Sequence, residues 1–540
     1  MCGINLQVWK DASCPVCSKV FVDKNLNANL RNRGPDSYRA IEPSTRDFYP
    51  EYYKVRLQAS VLKMRKELVS QPVSLTENCY LCWNGEIYET VGNDEQVWNY
   101  ENSDTLLLAK RLRDSSFDRN EDEACKEISK VMATLYNAEF GFLILTKSSV
   151  YYGRDKWGRR SLLRWDCPNA CGSFQIVSAA EEFQDLEKLE ENEIDYTWTE
   201  ILPGIVHQVT LANIRQESTQ QIPYPSFSPL SVHSTTLTKN FERIPQGVSK
   251  ELWEASIQLE YHLRRAVQMR LDSERPSAVL FSGGLDSAVV AALAAELCSH
   301  PLLLYNVSFG PSFEKSADRK AAIVTAEALQ AINSEKNILF EDIVVNWEDI
   351  CQHEPHIRTL LQPKTTLMDV NIGIALWFAS RGSTAVEETQ TPRVLLLGMG
   401  ADEQMGGYGR HRKAYERAGW KGLQEELDMD QSRFWERNLG RDDRICSDHG
   451  KEARFPFLDA HVVRCLNEIP LSQICDFSLP PGQGDKRILR LIASRLGLEH
   501  ASGLVKRAIQ FGSRISHLSD AKRFGSRRKA KGEASVKKTS

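Results

Sequence analysis

The chain is 540 residues long, 41% hydrophobic and 26% charged, with a formal net charge of −4 at pH 7. At roughly 150 residues per domain this length predicts two to four domains, and the composition excludes a wholly disordered chain. The small negative charge argues against a nucleic-acid partner. No apolar run approaches the roughly 18 residues of a membrane-spanning helix, so a membrane partner is not expected.

The first residues and the cysteines indicate a compartment. The sequence MCGINLQVWK has no basic stretch followed by an apolar one, so no secretory signal is expected and the chain is predicted to be cytoplasmic. The thirteen cysteines are scattered and odd in number, which favours reduced thiols.

The first 210 residues are predicted to form an α+β domain. Short apolar stretches at Cys79–Tyr88, Phe142–Gly153 and Phe174–Ala179 alternate with turn residues and predict strands. Helical periodicity interrupts them at Ser103–Arg113 and Ala124–Tyr136. Residues 211–249 are rich in Ser, Thr and Pro and are predicted to be a linker.

From residue 250 the pattern changes to alternating helices and strands. The predicted elements, in order, are helix Glu251–Arg270, strand Ala278–Phe281, helix Ala288–Cys298, strand Pro301–Phe309, helix Ala321–Ile332, strand Leu339–Val345, helix Ile372–Ser380 and strand Val394–Leu397. Such alternation predicts an α/β domain with a parallel sheet and ligands beyond its C-terminal strand ends. This domain is expected to span 250–520 with a helical C-terminal part, and residues 521–540 to form a basic, disordered tail.

Cys2 is the first residue that suggests chemistry. Removal of Met1 would leave a cysteine whose thiol and α-amine belong to one residue. The thiol needs a base to become a nucleophilic thiolate, and an α-amine with a pKa near 8 can serve as that base. Taken by itself, the residue could also be an accident of sequence.

Three further motifs accompany Cys2. They are RNRGPDS at Arg31–Ser37, NGE at Asn84–Glu86, and Asp104, which is expected at the N-cap of a helix. Together with MCGI they resemble the class II glutamine amidotransferases, an N-terminal-nucleophile family. The resemblance implies a four-layer αββα domain in which Cys2 attacks the glutamine amide, forms a thioester and releases ammonia.

The same resemblance implies roles for single residues. Asn84 and Gly85 would form the oxyanion hole, and Asn84 would also contact the glutamine. Glu86 and Asp104 would hold the amino and carboxyl ends of the glutamine. Arg65, in LKMRKELVSQP, is the candidate for binding the glutamine carboxylate.

Two other features of the first half have less specific interpretations. Cys14-Pro-Val-Cys17 is a single CxxC pair with no second pair at zinc-ligand spacing, so incidental thiols are favoured over a metal or redox site. The sequence RDKWG at Arg154–Gly158 also matches the amidotransferases and is interpreted as structural.

A glycine-rich loop, SGGLDS at Ser282–Ser287, lies between a predicted strand and an Ala-rich helix. Glycines let the backbone approach phosphate oxygens, and a helix N-terminus offers free N–H groups. Asp286 is placed to hold Mg²⁺, while a glycine turn without a ligand is the alternative. The loop lacks the GK[ST] of a Walker A motif and the GxGxxG of a dinucleotide turn. It resembles the PP-loop of N-type ATP pyrophosphatases, which implies cleavage of ATP between its α and β phosphates.

Two later motifs are expected near this loop. The stretch GMGADEQMGGYGRHR places Asp402 and Glu403 after the C-terminal end of a strand, where Mg²⁺ and substrate are expected. The motif GDKRILR contains Lys486, which is a candidate clamp on the pyrophosphate. A solvated surface lysine is the alternative.

Taken in order, these motifs resemble glutamine-dependent asparagine synthetase over nearly the whole chain. The resemblance is closest to the eukaryotic branch of asparagine synthetase domain-containing proteins. It implies L-glutamine, ATP and L-aspartate as substrates, Mg²⁺ as cofactor, and a homodimer as a possible assembly. The ATP-binding residues it implies are Leu280, Ser282, Gly283, Gly284, Asp286, Ser287, Val307, Gly398 and Lys486, and the metal ligands are Asp286 and Asp402.

In that family, ammonia passes through an internal channel to aspartate activated as β-aspartyl-AMP, and the products are asparagine, glutamate, AMP and pyrophosphate. One position departs from the pattern, because Met399 stands where the family's GEGADE loop has a glutamate. A thioether cannot accept a proton at neutral pH. Three alternatives remain: an asparagine synthetase that tolerates Met399, an amidotransferase acting on another carboxylate, and a non-catalytic nucleotide- or glutamine-binding paralogue.

Overall fold

The computed structural model describes residues 2–10, 14–21, 28–43, 53–90, 103–115, 117, 121–169, 171–181, 197–211, 219–225, 244–382 and 391–524. The chain forms two compact units. The first contains Met1–Ser228, Pro355–Thr365 and Trp435–Lys451, and the second contains Pro229–Glu354, Thr366–Phe434 and Glu452–Ser540. Two segments from the second half of the sequence therefore belong to the first unit, which the alternation of elements did not predict.

The first unit contains twelve described strands. They are β1 (Cys2–Lys10), β2 (Ser37–Ile41), β3 (Tyr53–Val61), β4 (Val73–Thr76), β5 (Cys79–Glu89), β6 (Asn137–Leu145), β7 (Ser149–Arg154), β8 (Leu163–Asp166), β9 (Phe174–Val177), β10 (Thr199–Glu200), β11 (Ile205–Thr210) and β12 (Thr219–Pro223). Its helices in the first half of the chain are α1 (Pro15–Val20), α2 (Ala28–Arg33), α3 (Asp104–Ser115) and α4 (Glu121–Ala133).

These strands form two six-stranded sheets, in the orders β10-β8-β9-β1-β3-β2 and β12-β11-β7-β6-β5-β4. Neighbouring strands in both sheets are antiparallel. The stretch predicted as Phe142–Gly153 is two strands, because a turn separates β6 from β7. Strand β12 lies inside the segment predicted as a linker, and 212–218 and 226–243 of that segment lie outside the described residues.

The sheets are buried on both faces. Successive side chains of a strand point to opposite faces, and β6 shows the consequence. Leu143 packs in a cluster with residues of the first sheet such as Leu6, whereas Phe142 packs against Leu108 of α3. A third cluster places Leu30 of α2 against the other face of the first sheet. The unit is therefore layered as helices, sheet, sheet and helices.

The remaining strands are β13 (Ser277–Leu280), β14 (Leu302–Phe309), β15 (Ile338–Val345), β16 (Val394–Leu396) and β17 (Glu452–Arg454). The remaining helices are α5 (Lys250–Arg270), α6 (Leu285–Leu297), α7 (Ala317–Ile332), α8 (Trp347–Leu361), α9 (Leu367–Arg381), α10 (Ala401–Met405), α11 (Gly409–Phe434), α12 (Gly440–Ser447), α13 (Ala460–Glu468), α14 (Leu471–Ile474), α15 (Arg487–Arg495), α16 (Glu499–Ser502), α17 (Ile509–Gly512) and α18 (Ile515–Phe524). Helix α11 is interrupted at Ala418 and Gly419, and a π-helical turn, Trp435–Leu439, precedes α12. None of the described helices combines the length and the apolar character needed to cross a membrane.

The sheet of the second unit has the order β15-β14-β13-β16-β17, and all its neighbouring strands are parallel. This confirms the predicted parallel sheet, to which β17 is an unpredicted addition; helix α8 was not predicted either. The chain runs outward from β13 to β14 on one side and continues with β16 on the other, so the strand order switches next to β13. In such sheets the crevice at the C-terminal ends of the strands at the switch is the expected ligand site. The part 525–540 of the predicted tail lies outside the described residues.

Candidate functional site

In the first unit, Cys2 begins β1 and is buried. Its backbone N–H donates a hydrogen bond of 2.9 Å to Oδ1 of Asn84 on β5. The Nδ2 group of Asn84 is buried and has no hydrogen-bond partner among the described residues. An unpaired buried donor is costly unless something else accepts its hydrogen bond. Asn84 therefore presents an unused donor next to the Cys2 backbone.

Gly85 follows Asn84 at a position that has no room for a side chain. A Cβ atom here would lie 2.4 Å from the carbonyl oxygen of Glu139 and 2.6 Å from Cβ of Phe140. Strand β6 thus presses directly against Gly85, and the register pairs Gly85 with Phe140. The glycine lets β5 hold Asn84 and Glu86 at fixed positions on either side of it.

Charged residues gather beside this part of β5. Arg65 forms an ion pair with Glu86, and their side chains are 12% and 3% exposed. The indole N–H of Trp83 lies 3.2 Å from the carbonyl oxygen of Gly85 and 3.4 Å from Oδ2 of Asp104. The indole therefore connects Asp104 to the strand that carries the predicted glutamine-binding residues.

The sequence suggested that Asp104 is the N-cap of its helix, and this prediction is wrong. It is the first residue of α3, and Ser103 occupies the N-cap, where its hydroxyl oxygen accepts a 3.4 Å hydrogen bond from the N–H of Leu106. A serine hydroxyl reaches the amide of the third helical residue, and Oδ1 of Asp104 accepts a 2.9 Å hydrogen bond from the N–H of Thr105.

Gln71 is a neighbour of Cys2 that sequence reasoning missed. Its Nε2 lies 3.6 Å from Sγ of Cys2 and 3.4 Å from Oγ1 of Thr105, and its Oε1 accepts a 2.6 Å hydrogen bond from the N–H of Trp83. A glutamine next to a proline carries no pattern that distinguishes it from a turn residue. Only the pairing of the strands places it beside the thiol.

Arg33 of the RNRGPDS motif contacts the backbone of Cys2. Its Nε lies 3.5 Å from the carbonyl oxygen of Cys2, and its guanidinium lies 2.8 Å from Asp443 of α12. Burial raises the pKa of Asp443, but the opposite charges of Arg33 and Arg160 outweigh it and hold that pKa below its ordinary value. Arg154 is also buried, and binds the carbonyl of Arg160 at 2.7 Å.

In the second unit, the SGGLDS loop joins β13 to α6. Gly283 has a φ of +70°, and a Cβ on it would lie 2.2 Å from the backbone nitrogen of Ala322 in α7. The hydroxyls of Ser282 and Ser287 are 3.2 Å apart. Glycine is needed both for the backbone conformation and for the close approach of α7.

Lys486 brings the phosphate loop and the GMGADE turn together. Its Nζ lies 2.6 Å from Oδ1 of Asp286 and 2.7 Å from Oδ1 of Asp402. The ammonium of Lys506 lies 3.6 Å from Asp286. Gly398 lies close to Asp286, since a Cβ atom on this glycine would lie 2.9 Å from Cβ of Asp286. Lys486 is buried, so the alternative of a solvated surface lysine is wrong.

The two neighbouring acids of α10 differ in their ionisation. Burial raises the pKa of Asp402, but Lys486 and Lys506 outweigh it and hold that pKa well below its usual range. Burial and the charge of Asp402 raise the pKa of Glu403 to about 7, and the hydroxyl of Tyr408 donates a hydrogen bond to Glu403. Two adjacent carboxyl groups with separated pKa values are typical of sites that move protons.

A cavity of about 50 Å³ opens beside the loop. Its lining includes the predicted residues Ser282, Gly284, Asp286 and Lys486. It also includes the unpredicted residues Asp318, Arg490, Lys506 and Arg507. Burial raises the pKa of Asp318 to about 7, against the opposing charges of Lys506 and Arg507. Lys506 and Arg507 lie in the sequence LVKRAIQ, which carries no recognisable pattern.

The other predicted residues have different surroundings. Leu280 ends β13, and Val307 is buried on β14, where its register partner is Ile343. Neither lines the cavity among the residues that the structure describes. Met399 is half-buried in the turn between β16 and α10.

Comparison with known proteins identifies the family of this chain. The profile of the Asparagine synthase family matches residues 258–421 and 414–502. Over 96% of this chain and 97% of the relative, the sequence is 30% identical to mouse asparagine synthetase domain-containing protein 1. The chain belongs to the asparagine synthetase domain-containing family. The chicken relative of the same name is 31% identical over the same shares of the two chains.

A relative within the wider asparagine synthetase group is more distant. The glutamine-hydrolysing asparagine synthetase of Cricetulus griseus is 25% identical over 91% of this chain and 80% of the relative. Membership in the asparagine synthetase domain-containing family supports a glutamine-amidotransferase-like ligase.

Proposed function

We propose that this chain hydrolyses L-glutamine at Cys2 and uses the ammonia to amidate a carboxylate that it activates with ATP, with L-aspartate as the acceptor. The observation that carries the proposal is the position of Asn84. Its Oδ1 accepts a hydrogen bond from the backbone nitrogen of Cys2, and its Nδ2 is a buried donor without a partner among the described residues. The αββα layering of the first unit supports an N-terminal-nucleophile assignment.

In the proposed first step, the α-amine of Cys2 takes the proton of its own thiol once Met1 has been removed. The sulfur then attacks the side-chain carbonyl carbon of glutamine. The developing oxyanion would receive hydrogen bonds from Asn84 Nδ2 and the N–H of Gly85, and removing one such donor typically costs about 10²–10³ in rate. The protonated amine returns its proton to the leaving ammonia, and water cleaves the thioester to glutamate.

The charges around β5 match a free amino acid. Glutamine presents an α-ammonium and an α-carboxylate, and Arg65 and Glu86 offer the opposite charges side by side. Their ion pair would open as the zwitterion takes the place of each partner. Asp104, which lies within reach of the Trp83 indole, adds a second carboxylate for the ammonium.

The chemistry of the residues in the second unit fits Mg-ATP. Asp286 and Asp402 supply the carboxylate oxygens that Mg²⁺ prefers, and Lys486, Lys506, Arg490 and Arg507 supply cations for phosphate oxygens. The backbone at Gly283 and Gly284 would approach the phosphates. When bound, Mg²⁺ neutralises phosphate charge. The lysines would then exchange carboxylate contacts for phosphate contacts, which keeps the pyrophosphate in place as the acceptor carboxylate becomes an acyl-adenylate.

Glu403 is the candidate proton acceptor in the amidation step. Its carboxyl group, with a pKa of about 7, lies beside Asp402 and is supported by Tyr408. A proton must leave ammonia as it attacks the acyl-adenylate, and Met399 cannot accept it. We propose that Glu403 takes that proton.

The test uses purified full-length protein whose Met1 is shown by mass spectrometry to be absent. It is given glutamine, Mg-ATP and aspartate, and glutamate, AMP, pyrophosphate and asparagine are followed together. We expect asparagine to form in step with AMP. The Cys2→Ala variant should lose glutamate formation and keep ammonia-dependent AMP formation. Glutamate formation that survives this substitution would contradict the role of Cys2.

Met399 favours a second candidate, amidation of a different carboxylate. If aspartate fits the acceptor pocket and only the base is lacking, Met399→Glu should raise asparagine formation strongly. No change would mean that the acceptor pocket has a different shape. A chain in which neither AMP nor glutamate forms, although it is folded, would favour the binding-protein alternative.

A further inference from the structure

Four cysteines of the first unit gather outside the Cys2 site. Cys14 immediately precedes α1, Cys17 lies within it, Cys167 follows β8, and Cys171 lies in the turn before β9. The ligand atoms of these four residues all lie within 4.8 Å of one another. The sequence favoured incidental thiols because no second pair followed the CxxC at zinc-ligand spacing. The structure supplies that pair from 150 residues further along, at a CxxxC in the β8–β9 hairpin.

The spacing of the sulfur atoms matches a tetrahedral thiolate site. Zinc–sulfur bonds of about 2.3 Å place neighbouring sulfurs about 3.8 Å apart in a regular tetrahedron. Sγ of Cys17 lies 3.4 Å from Sγ of both Cys167 and Cys171, and Sγ of Cys14 lies 3.7 Å from Sγ of Cys167. None of the four cysteines is in a disulfide bond in this structure.

The surroundings resemble those of a structural metal. Cys14, Cys17 and Cys167 are buried, and Cys171 is partly buried. A hydrophobic cluster that includes Phe21 and Trp165 encloses them. Structural zinc sites are closed and have four protein ligands, whereas catalytic sites keep one position for water.

Polar groups lie beside the sulfur atoms. The backbone of Asn169 hydrogen-bonds Cys167, and Nδ2 of Asn169 lies 3.7 Å from Sγ of Cys14. Sγ of Cys171 donates a hydrogen bond of 3.1 Å to Oγ of Ser173. Partners of this kind orient metal ligands and tune the metal.

We propose that Cys14, Cys17, Cys167 and Cys171 bind one structural Zn²⁺ ion. Binding displaces the thiol protons and forms four zinc–sulfur bonds, with no change of oxidation state. The ion would fasten α1 to the β8–β9 hairpin. Strand β9 pairs with β1, which begins at Cys2, so the site would brace the sheet that carries the nucleophile.

The first test measures metal in full-length protein purified without chelators. Elemental analysis should find one zinc per chain. Protein reconstituted with Co²⁺ should show the thiolate-to-metal charge-transfer bands and the intense d–d bands of a tetrahedral sulfur site. A mercurial reagent should release zinc in step with the modification of four thiols of the thirteen.

The second test uses paired substitutions. Zinc content should fall at least about tenfold in the pair Cys14→Ser and Cys17→Ser, because each substitution removes a ligand. The matched control is the pair Cys79→Ser and Cys125→Ser, two buried cysteines in another cluster of the same unit, which should keep the metal. If the first pair does not fold, the cobalt spectrum and the thiol titration of the unaltered chain still decide the question.

Several results would overturn the proposal. They are purified chain without stoichiometric metal, iron in place of zinc, disulfides among the four cysteines in non-reducing peptide maps, and full zinc content in the Cys14→Ser and Cys17→Ser pair.

Discussion

The ammonium of Lys486 lies 2.6 and 2.8 Å from the two carboxylate oxygens of Asp286, although 200 residues separate them in the chain. The same ammonium lies 2.7 Å from Asp402. Because Lys486 is buried, its charge is compensated by these two carboxylates, and theirs by it. The contact joins the phosphate loop, the GMGADE turn and the C-terminal helices into one polar cluster.

We expect Lys486→Ala to lower ATP-dependent pyrophosphate release at least about 10²-fold, because it removes a phosphate-binding cation and leaves two buried carboxylates with Lys506 alone. Glutamine hydrolysis in the same preparation should change little. The matched control is Arg487→Ala, whose half-exposed guanidinium pairs with Asp476 at 3.5 Å. An equal loss of pyrophosphate release in both variants would contradict a specific role for Lys486.

Asn84→Asp tests the unpaired donor beside Cys2. The carboxylate keeps an acceptor for the Cys2 nitrogen but loses the N–H that would stabilise an oxyanion. The kcat of glutamine hydrolysis should fall about 10²–10³-fold, more than KM rises. Asn78→Asp, in the turn between β4 and β5, makes the same chemical change in the same unit and should retain activity. A rise in KM with unchanged kcat would assign Asn84 to substrate binding alone.

Gly283 and Gly284 are adjacent, but only one has no room for a side chain. Gly283→Ala would place Cβ 2.2 Å from a backbone atom of Ala322 at a φ of +70°, and should destabilise the chain by about 2 kcal/mol or more. Gly284→Ala meets only Ser282 Oγ at 3.3 Å and serves as the control. Calorimetric melting should show a lower unfolding temperature for the first variant only. Equal melting of both would mean that α7 can move away from the loop.

His356 and Asp448 give the first unit a pH-dependent contact. The imidazole Nε2 lies 2.7 Å from Oδ2 of Asp448. The hydrogen bond that His356 donates to Asp448 raises the pKa of His356. Burial raises the pKa of Asp448, but its contacts with His356 outweigh burial and lower that pKa to about 2. A raised histidine pKa means that the contact stabilises the fold fully below the unfolded pKa of about 6.5 and loses that contribution as pH rises through the folded value.

His356→Gln should therefore lower the unfolding temperature most below about pH 6.5, and the difference from the unaltered chain should shrink as pH rises. Calorimetric melting over a pH series measures this difference. His500→Gln, at an exposed position in α16, is the control and should melt like the unaltered chain at each pH. A deficit that is constant with pH would assign the effect of His356 to packing.

The parallel sheet and the strand-rich first half followed from local patterns, whereas the roles of Cys2, Asn84 and the SGGLDS loop stay predictions. Period-2 and period-3.6 hydrophobicity depend on neighbours in the sequence, so β14, α6 and α7 were found within a few residues. The sequence predicted that the glycines of this loop make room for phosphate oxygens, and the structure adds that Gly283 has a φ of +70° and lies against α7. Asp104 was placed one residue too early in its helix because a serine and an aspartate side by side both favour the N-cap.

What the sequence by itself determined is the set of reactive groups and the fold class of the second half. What only the tertiary structure decided is which distant groups meet. Arg33 reaches Asp443 across 410 residues, and Cys17 reaches Cys167 across 150, although no local pattern connects either pair. Buried charges and thiols need partners, but any residue of suitable chemistry can supply one, so burial demands a partner without specifying its place in the chain. Chain topology determines which residues meet, and it places residues 435–451 in the first unit.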